Sequence, residues 1–407
     1  MSDNEKRWGF LPDEILTHIF HCLPIKSIIV CTFVSKTWKS LIKNPTFIST
    51  HLRHSHKNLL LFRLPTQPFE MFGTIPTGDR EVYTLLHDDD DDDDFTKQQQ
   101  HTRLDFPFHG PDLESHCPVF RVVDTCDGLL CLSDDLITYI DIFYLWNPCV
   151  RKILQLPYPN VTFGTHGGFD ASLVFGFDPK TNDYKMVRVV TLVDTLDLRK
   201  DRPKVEVYSL FTNKWRMVKA SLVPRCVLDG RAPQAFVNGA LHWRVFTRAD
   251  DGSFHHFVLV FDLGDEVFSE MQLPQLPAYT YERMRLYSPI STCRNSIAFF
   301  HQDYYSHCLD IWVMKQYGVV SSWTKALSLT MTCQGGFLSR DYIRRAVGFT
   351  RSGKIVLDMG GGHLVSQDLE TKESKDLGII GYKYNFVDAY VESLILLDKA
   401  ANGVVTY

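Results

Sequence analysis

One phrase returns five times along this 407-residue chain, and its spacing restricts the fold more than any other feature. A strand-like run, a turn and a second run recur in YLWNPCVRKILQLP (144–157), VYSLFTNKWRMV (207–218), LVFDLGDEVFSEMQLP (259–274), DIWVMKQYGVVSSWTKAL (310–327) and HLVSQDLETKESKDL (363–377). The anchor residues Trp146, Tyr208, Phe261, Trp312 and Gln367 lie 62, 53, 51 and 55 residues apart. A second hairpin-like element precedes each phrase: CDGLLCL (126–132), LVFGFDPKTNDYKMVRV (173–189), AFVNGALHWRV (235–245), NSIAFFHQ (295–302) and VGFTRSGKIVLDM (347–359). Short β-branched and aromatic runs bounded by Asn, Asp, Gly and Pro are the pattern of strands and turns. Two hairpins cannot bury their apolar faces alone, so successive units must stack on one another.

A period near 50 residues with four strands per unit is that of a kelch-like propeller blade. Five blades are visible, and residues 59–86 together with a strand at 391–397 are expected to supply a sixth by closing the ring, which removes exposed sheet edges. The expected all-β domain covers 59–400. Residues 87–115 interrupt it with seven consecutive Asp (88–94), three Gln and two prolines, the composition of a disordered acidic loop.

Residues 1–50 read differently. Ile15, Leu16, Ile19, Phe20 and Leu23 form one broad helical face. Pro12, Asp13 and Glu14 suit its first turn, and Pro24 stops it. Val30, Val34, Trp38, Leu41 and Ile42 carry a second helical pattern, which Asn44-Pro45 ends. Three short helices have little surface to bury among themselves, so this all-α module is expected to be completed by a partner. Residues 51–58 read as a linker.

Charge narrows the functions open to the chain. The formal net charge is −5, less than the Asp run alone contributes, while residues 1–57 hold eight Lys/Arg against four Asp/Glu. Neither is the concentrated basic face, interleaved with stacking aromatics, of a nucleic-acid binder. No apolar run approaches the roughly 20 residues that span a bilayer, and MSDNEKRWGF carries no secretory core or transit pattern. No nucleic-acid or membrane partner is expected, and a cytoplasmic or nuclear location is. The ten cysteines, none in C-x-x-C, are expected as reduced thiols.

Residues 8–50 resemble the F-box, whose marks here are Leu11-Pro12, the apolar run Ile15 to Ile19, Leu23-Pro24, and Val34-Ser35-Lys36-Thr37-Trp38. The remainder resembles the plant F-box-associated domain in the phrases CDGLLCL, LWNP, FGFDPKTNDYKMV, VNGALHW and LDIWVMKQYG. The resemblance implies the substrate-recognition subunit of an SCF-type (Skp-cullin-F-box) ubiquitin ligase, non-catalytic itself. The F-box would dock on a Skp-family adaptor, and through it on cullin and RING subunits, while the β domain holds a protein substrate. The adaptor-binding residues implied are Leu11, Pro12, Ile15, Leu16, Ile19, Leu23, Pro24, Ile28, Val34 and Trp38. No substrate residue is legible, and the candidate loops are 194–203, 247–255 and 278–287.

Sharper chemistry finds little footing. His51, His54 and His56 lack a completing Cys or carboxylate and read as linker, so no metal or other cofactor is expected. The Asp run lacks the Gly turn and distal Glu of an EF-hand loop. Gly360-Gly361-Gly362 lacks the Lys-Ser/Thr of a phosphate loop and reads as a turn. His242 reads as a buried blade position, and Trp146, Trp243, Trp312 and Trp323 as packing between blades. The alternatives to a ligase receptor are a kelch-propeller enzyme and a non-ligase scaffold.

Overall fold

Each repeat becomes a twisted antiparallel sheet because its side chains alternate between two faces that both meet a neighbouring sheet. The computed structural model describes residues 11–54, 59–65, 81–87, 102–107, 120–135, 141–192, 202–219, 223–228, 234–248, 254–276, 289–303, 307–331, 341–381, 385–399 and 404–406. The first sheet contains β1 (Leu59–Pro65), β2 (Glu81–His87) and β3 (Thr102–Arg103). The second contains β4 (Arg121–Cys126), β5 (Leu129–Ser133), β6 (Phe143–Asn147) and β7 (Lys152–Gln155). The third contains β8 (Phe169–Asp178), β9 (Asp183–Leu192), β10 (Lys204–Ser209) and β11 (Lys214–Met217). The fourth contains β12 (Val227–Leu228), β13 (Ala235–Val237), β14 (Ala240–Arg248), β15 (Phe254–Asp262) and β16 (Phe268–Gln272). The fifth contains β17 (Ile290–Cys293), β18 (Ser296–Asp303), β19 (Cys308–Met314) and β20 (Trp323–Thr330). The sixth contains β21 (Ile343–Phe349), β22 (Ile355–Met359), β23 (His363–Gln367) and β24 (Ser374–Ile380).

Two C-terminal strands complete the set: β25 (Phe386–Tyr390) pairs with β1, and β26 (Val404–Thr406) adds a fifth strand beside β7. The innermost strands β25, β4, β8, β13, β17 and β21 touch one another in cyclic order, which makes a closed six-bladed β-propeller. The five anchors of the repeat all lie in the third strand of their blades, and Tyr83 in β2 is the sixth.

Ring closure differs from expectation in one respect. The closing strand is Phe386–Tyr390, in register from Leu59 opposite Tyr390 to Arg63 opposite Phe386, and residues 391–397 leave the sheet. Side chains rather than a strand satisfy the carbonyls of that tail. Asn147 Nδ2 donates to Ser393 O at 3.1 Å and Ile395 O at 2.9 Å, and Lys152 Nζ donates to Leu396, Leu397 and Lys399 carbonyls at 2.9 to 3.1 Å.

Every gap between blades holds its own apolar cluster. Trp146 is fully buried between the first two blades, edge-on to Tyr83 at 4.9 Å, and Trp243 is fully buried between the third and fourth. Trp312 and Trp323 are partly buried between the fourth and fifth, where Trp323 Nε1 donates to Gln272 O at 3.0 Å. His242 is a satisfied interior side chain, with Nδ1 3.2 Å from Ala235 O and Nε2 2.9 Å from Tyr317 Oη. Gly360–Gly362 forms the short turn between β22 and β23.

Among the described residues the N-terminal module has four helices: α1 (Asp13–His21), α2 (Ile25–Cys31), α3 (Lys36–Ile42) and α4 (Pro45–Arg53). The fourth was not expected, because Asn44-Pro45 reads as a stop. Here it is a start: Asn44 Oδ1 accepts from Thr46 N–H at 2.9 Å and Pro45 occupies the first turn. Helix α4 carries His51 into the interior, where it is 6% exposed, so His51 is not linker. His56 and the rest of 55–58 lie outside the described residues.

Candidate functional site

The helical module has two sides. Leu16, Phe20, Ile25, Ile28, Ile42, Phe47 and Ile48 form one core with Val150 from the β6–β7 turn and with Leu394 and Leu397 from the C-terminal tail. The propeller thus covers part of what the sequence left for a partner. The other side stays open: Ile15 is 48% exposed, Ile19 40%, Val30 65%, Phe33 83% and Val34 60%. A ridge of large apolar side chains carried by the first helix, the end of the second and the turn that follows it is the surface a protein partner covers.

The ten residues implied for adaptor binding divide between these sides. Pro12, Ile15, Ile19, Pro24 and Val34 are exposed, and Leu11, Leu23 and Trp38 are half-buried at the edge of the module's core. Leu16 and Ile28 are buried and support the ridge from behind. Trp38 packs edge-on to Phe20 at 5.0 Å. Val30 and Phe33 join the ridge although the family pattern did not single them out. Ser35 Oγ accepts from Trp38 N–H at 3.1 Å, which makes Ser35 the cap of α3 and leaves Phe33 and Val34 in a turn with no helix face to bury them.

The ring also has two unlike faces. Strands within a blade alternate in direction, so first-to-second and third-to-fourth turns lie on one face, and second-to-third connections and inter-blade crossovers on the other. The β6–β7 turn and the tail after β25 lie on the first face, which therefore carries the helices. Loops 194–203, 247–255 and 278–287 connect β9 to β10, β14 to β15 and β16 to β17, so their strand ends lie on the second; most of these loops lies outside the described residues. The run at 88–94 and most of 87–115 also lie outside them, but within the expected disordered loop Thr102–Arg103 form β3 against β2 and Phe106 is buried in the core between the first two blades, so that part is ordered by pairing and packing.

On the second face the channel opens as a polar funnel, lined by the leading halves of inner strands: Arg121, Asp124, Arg345, Asp388, and the preceding Gln234 and Asn385 among them. Two arginines there are tied to buried carboxylates, Arg121 to Asp135 at 2.6 and 2.8 Å and Arg345 to Asp358 at 3.3 Å. Asp124 and Asp388 stand within hydrogen-bonding reach of each other. Burial first, and then the charge of Asp388, hold the Asp124 carboxyl well above the ordinary carboxylate range. Burial pushes Asp388 up to about 6, opposed by the Ala389 N–H that donates to it at 2.8 Å. Among the described residues no group of three or more His, Cys, Asp or Glu is arranged to hold a metal ion, and no helix is long and apolar enough to cross a membrane.

A helical module with an open apolar ridge, fused to a closed ring whose far face carries a polar funnel, defines a two-ended protein-interaction molecule. Residues 8–50 match the F-box domain and residues 79–397 match the F-box associated beta propeller domain. The chain is 28% identical over 402 residues to "F-box protein At3g07870" of Arabidopsis thaliana, covering 90% of this chain and 87% of that one. It is 27% identical to "F-box protein CPR1" of the same plant, covering 98% and 91%, and 25% identical to "F-box/kelch-repeat protein At3g23880", covering 78% and 79%. The chain belongs to the plant F-box proteins that carry an F-box associated β-propeller.

Proposed function

We propose that this chain is the substrate-receptor subunit of an SCF-type ubiquitin ligase, working in the cytoplasm or nucleus and catalysing no step itself. The observation that carries this reading is the ridge of Ile15, Ile19, Val30, Phe33 and Val34, left open on an F-box whose opposite side is seated on the propeller. A Skp-family adaptor covers the ridge and connects it to cullin and RING subunits. The propeller holds the protein substrate. The chain contributes proximity, since a substrate Lys held beside a ubiquitin thioester reacts as if within one molecule.

Co-purification with a Skp-type adaptor tests the reading. Burying an Ile or Phe side chain contributes roughly 1.5 to 3 kcal/mol, so changing Ile15, Phe33 and Val34 together to Ser is expected to weaken the complex by at least about 100-fold. The variant keeps its fold because these side chains are already exposed. An adaptor that binds the variant as well as the parent refutes the proposal.

A further inference from the structure

The funnel holds a group that its own protein leaves unsatisfied. Asn385 is 7% exposed and lines the funnel, yet neither its Nδ2 nor its Oδ1 has a hydrogen-bond partner among the described residues. An amide buried in that state costs on the order of 1 to 3 kcal/mol per unpaired group unless something supplies an acceptor and a donor. A peptide group supplies both at once. Beside it are Asp124 and Asp388, the first 9% exposed and the second half-buried. Thr125 N–H donates to Asp124 Oδ1 at 2.8 Å, and Thr125 Oγ1 donates to Asp388 Oδ2 at 3.1 Å. These bonds hold both carboxyl groups in place, and among the described residues no cationic side chain donates to either of them.

The surrounding charge favours a cation. Arg121 and Arg345, the guanidiniums in the lining, are each bound to a carboxylate of their own, Asp135 and Asp358, and the Asp124–Asp388 pair keeps a net negative charge at neutral pH even with one proton between them. Ser291, Thr292 and Gln234 add neutral polar groups around the same opening. We infer that this funnel is a recognition site for a basic peptide segment, in which an Arg or Lys side chain enters the channel and places its cationic head on Asp124 and Asp388 while Asn385 pairs with the peptide backbone. The site opens on the face opposite the F-box, so it stays accessible when the ridge is covered. It gives the receptor role proposed above a substrate class, and rests on that role for its biological meaning.

Loss of the first proton from this pair leaves it negatively charged, so the preference for a basic residue strengthens as pH rises through about 6. Arg121 and Arg345 are the other charged side chains that line the funnel, and each is bound to a carboxylate outside the pair, Asp135 and Asp358.

The test uses the full chain, alone and with a Skp-type adaptor added, applied at pH 7.5 to synthetic peptides with Arg, Lys, citrulline, norleucine or Glu at one position in random context. Arg and Lys are expected to exceed citrulline and norleucine by about tenfold, the scale of one charge-assisted hydrogen bond. The double substitution Asp124→Asn/Asp388→Asn keeps shape and removes charge, and is expected to abolish that preference. Asn385→Ala is expected to weaken all bound peptides while leaving the preference. Equal binding of cationic and neutral peptides, a preference for Glu, or a preference that survives the double substitution overturns the site. Adaptor binding is read in the same samples: intact adaptor binding without cation preference sinks the site alone, and cation preference without adaptor binding sinks the ligase role alone.

Discussion

The first-to-second turns of the propeller, on the face that carries the F-box, and its crossovers between blades, on the other face, differ in length. On the face that carries the F-box, β4 joins β5, β13 joins β14 and β17 joins β18 through two residues each. These turns place Asp127 and Gly128, Asn238 and Gly239, and Arg294 at positive φ, the geometry of tight hairpins. On the other face, β7 joins β8 through 156–168, with exposed Tyr158 and Phe163, and β16 joins β17 through 273–289. Short turns fix strand register and give the helices a rigid seat. Long connections leave the far face free to differ between relatives without disturbing that seat.

If the seat is integral to the fold, damage to it propagates. Leu394 is fully buried between the tail and the helices, and Leu394→Ala is expected to cost about 2 to 5 kcal/mol, on the order seen for buried Leu. Thermal unfolding followed by circular dichroism should show helix and sheet signals lost in one earlier transition. Helices that melt separately, leaving the ring unchanged, break the comparison.

The tight turns allow a finer contrast. A Cβ on Gly128 would meet Val391 O at 2.5 Å and Ser393 Oγ at 2.6 Å at φ +80, whereas Gly318 has the same φ and nothing within 4 Å. Gly128→Ala is expected to cost about 2 to 4 kcal/mol, and Gly318→Ala about 1 kcal/mol from backbone strain alone. Denaturant midpoints of the two variants measure the difference. Equal losses would mean that contact with the tail adds nothing.

The smallest effects are expected in pH dependence, where the two ends have opposite signs. Asp124 and Asp388 have folded pKa values raised above the unfolded carboxylate value of about 3.9, so the folded state binds more protons. Their contribution to stability is therefore present at low pH and lost as pH rises, through about 6 for Asp388. On the helical end, burial lowers the pKa of His21 and His51, with neighbouring histidines adding to the effect. Their contribution is present above about 6.5 and lost as pH falls. Relative to the parent, Asp124→Asn/Asp388→Asn should raise Tm more at pH 7.5 than at pH 5, and His21→Gln/His51→Gln should do the reverse. Parallel shifts at both pH values contradict this assignment.

The repeat was legible because each blade must present the same third-strand position to its neighbour, from Trp146 to Gln367. The closing strand was misread because FVDAY (386–390) is less apolar than the tail after it, and Leu394, Leu396 and Leu397 are apolar for another reason: they bury against blade and helices. On the F-box the helical period was plain, but Leu16 and Ile15 are adjacent in sequence and face opposite ways. Which of them is interior depends on Val150 and Leu394, more than 100 residues distant. The funnel carried no local signature, since Arg121, Asp124, Arg345, Asn385 and Asp388 meet only when the ring closes.

The measurement closest to the central claim is calorimetric titration of the purified chain with a purified Skp-type adaptor. A one-to-one complex is expected that is lost when Ile15, Phe33 and Val34 become Ser and is unchanged by Asp124→Asn/Asp388→Asn. No complex with the parent chain, or a loss caused by the funnel substitutions instead of those on the ridge, would contradict the assignment of the two ends.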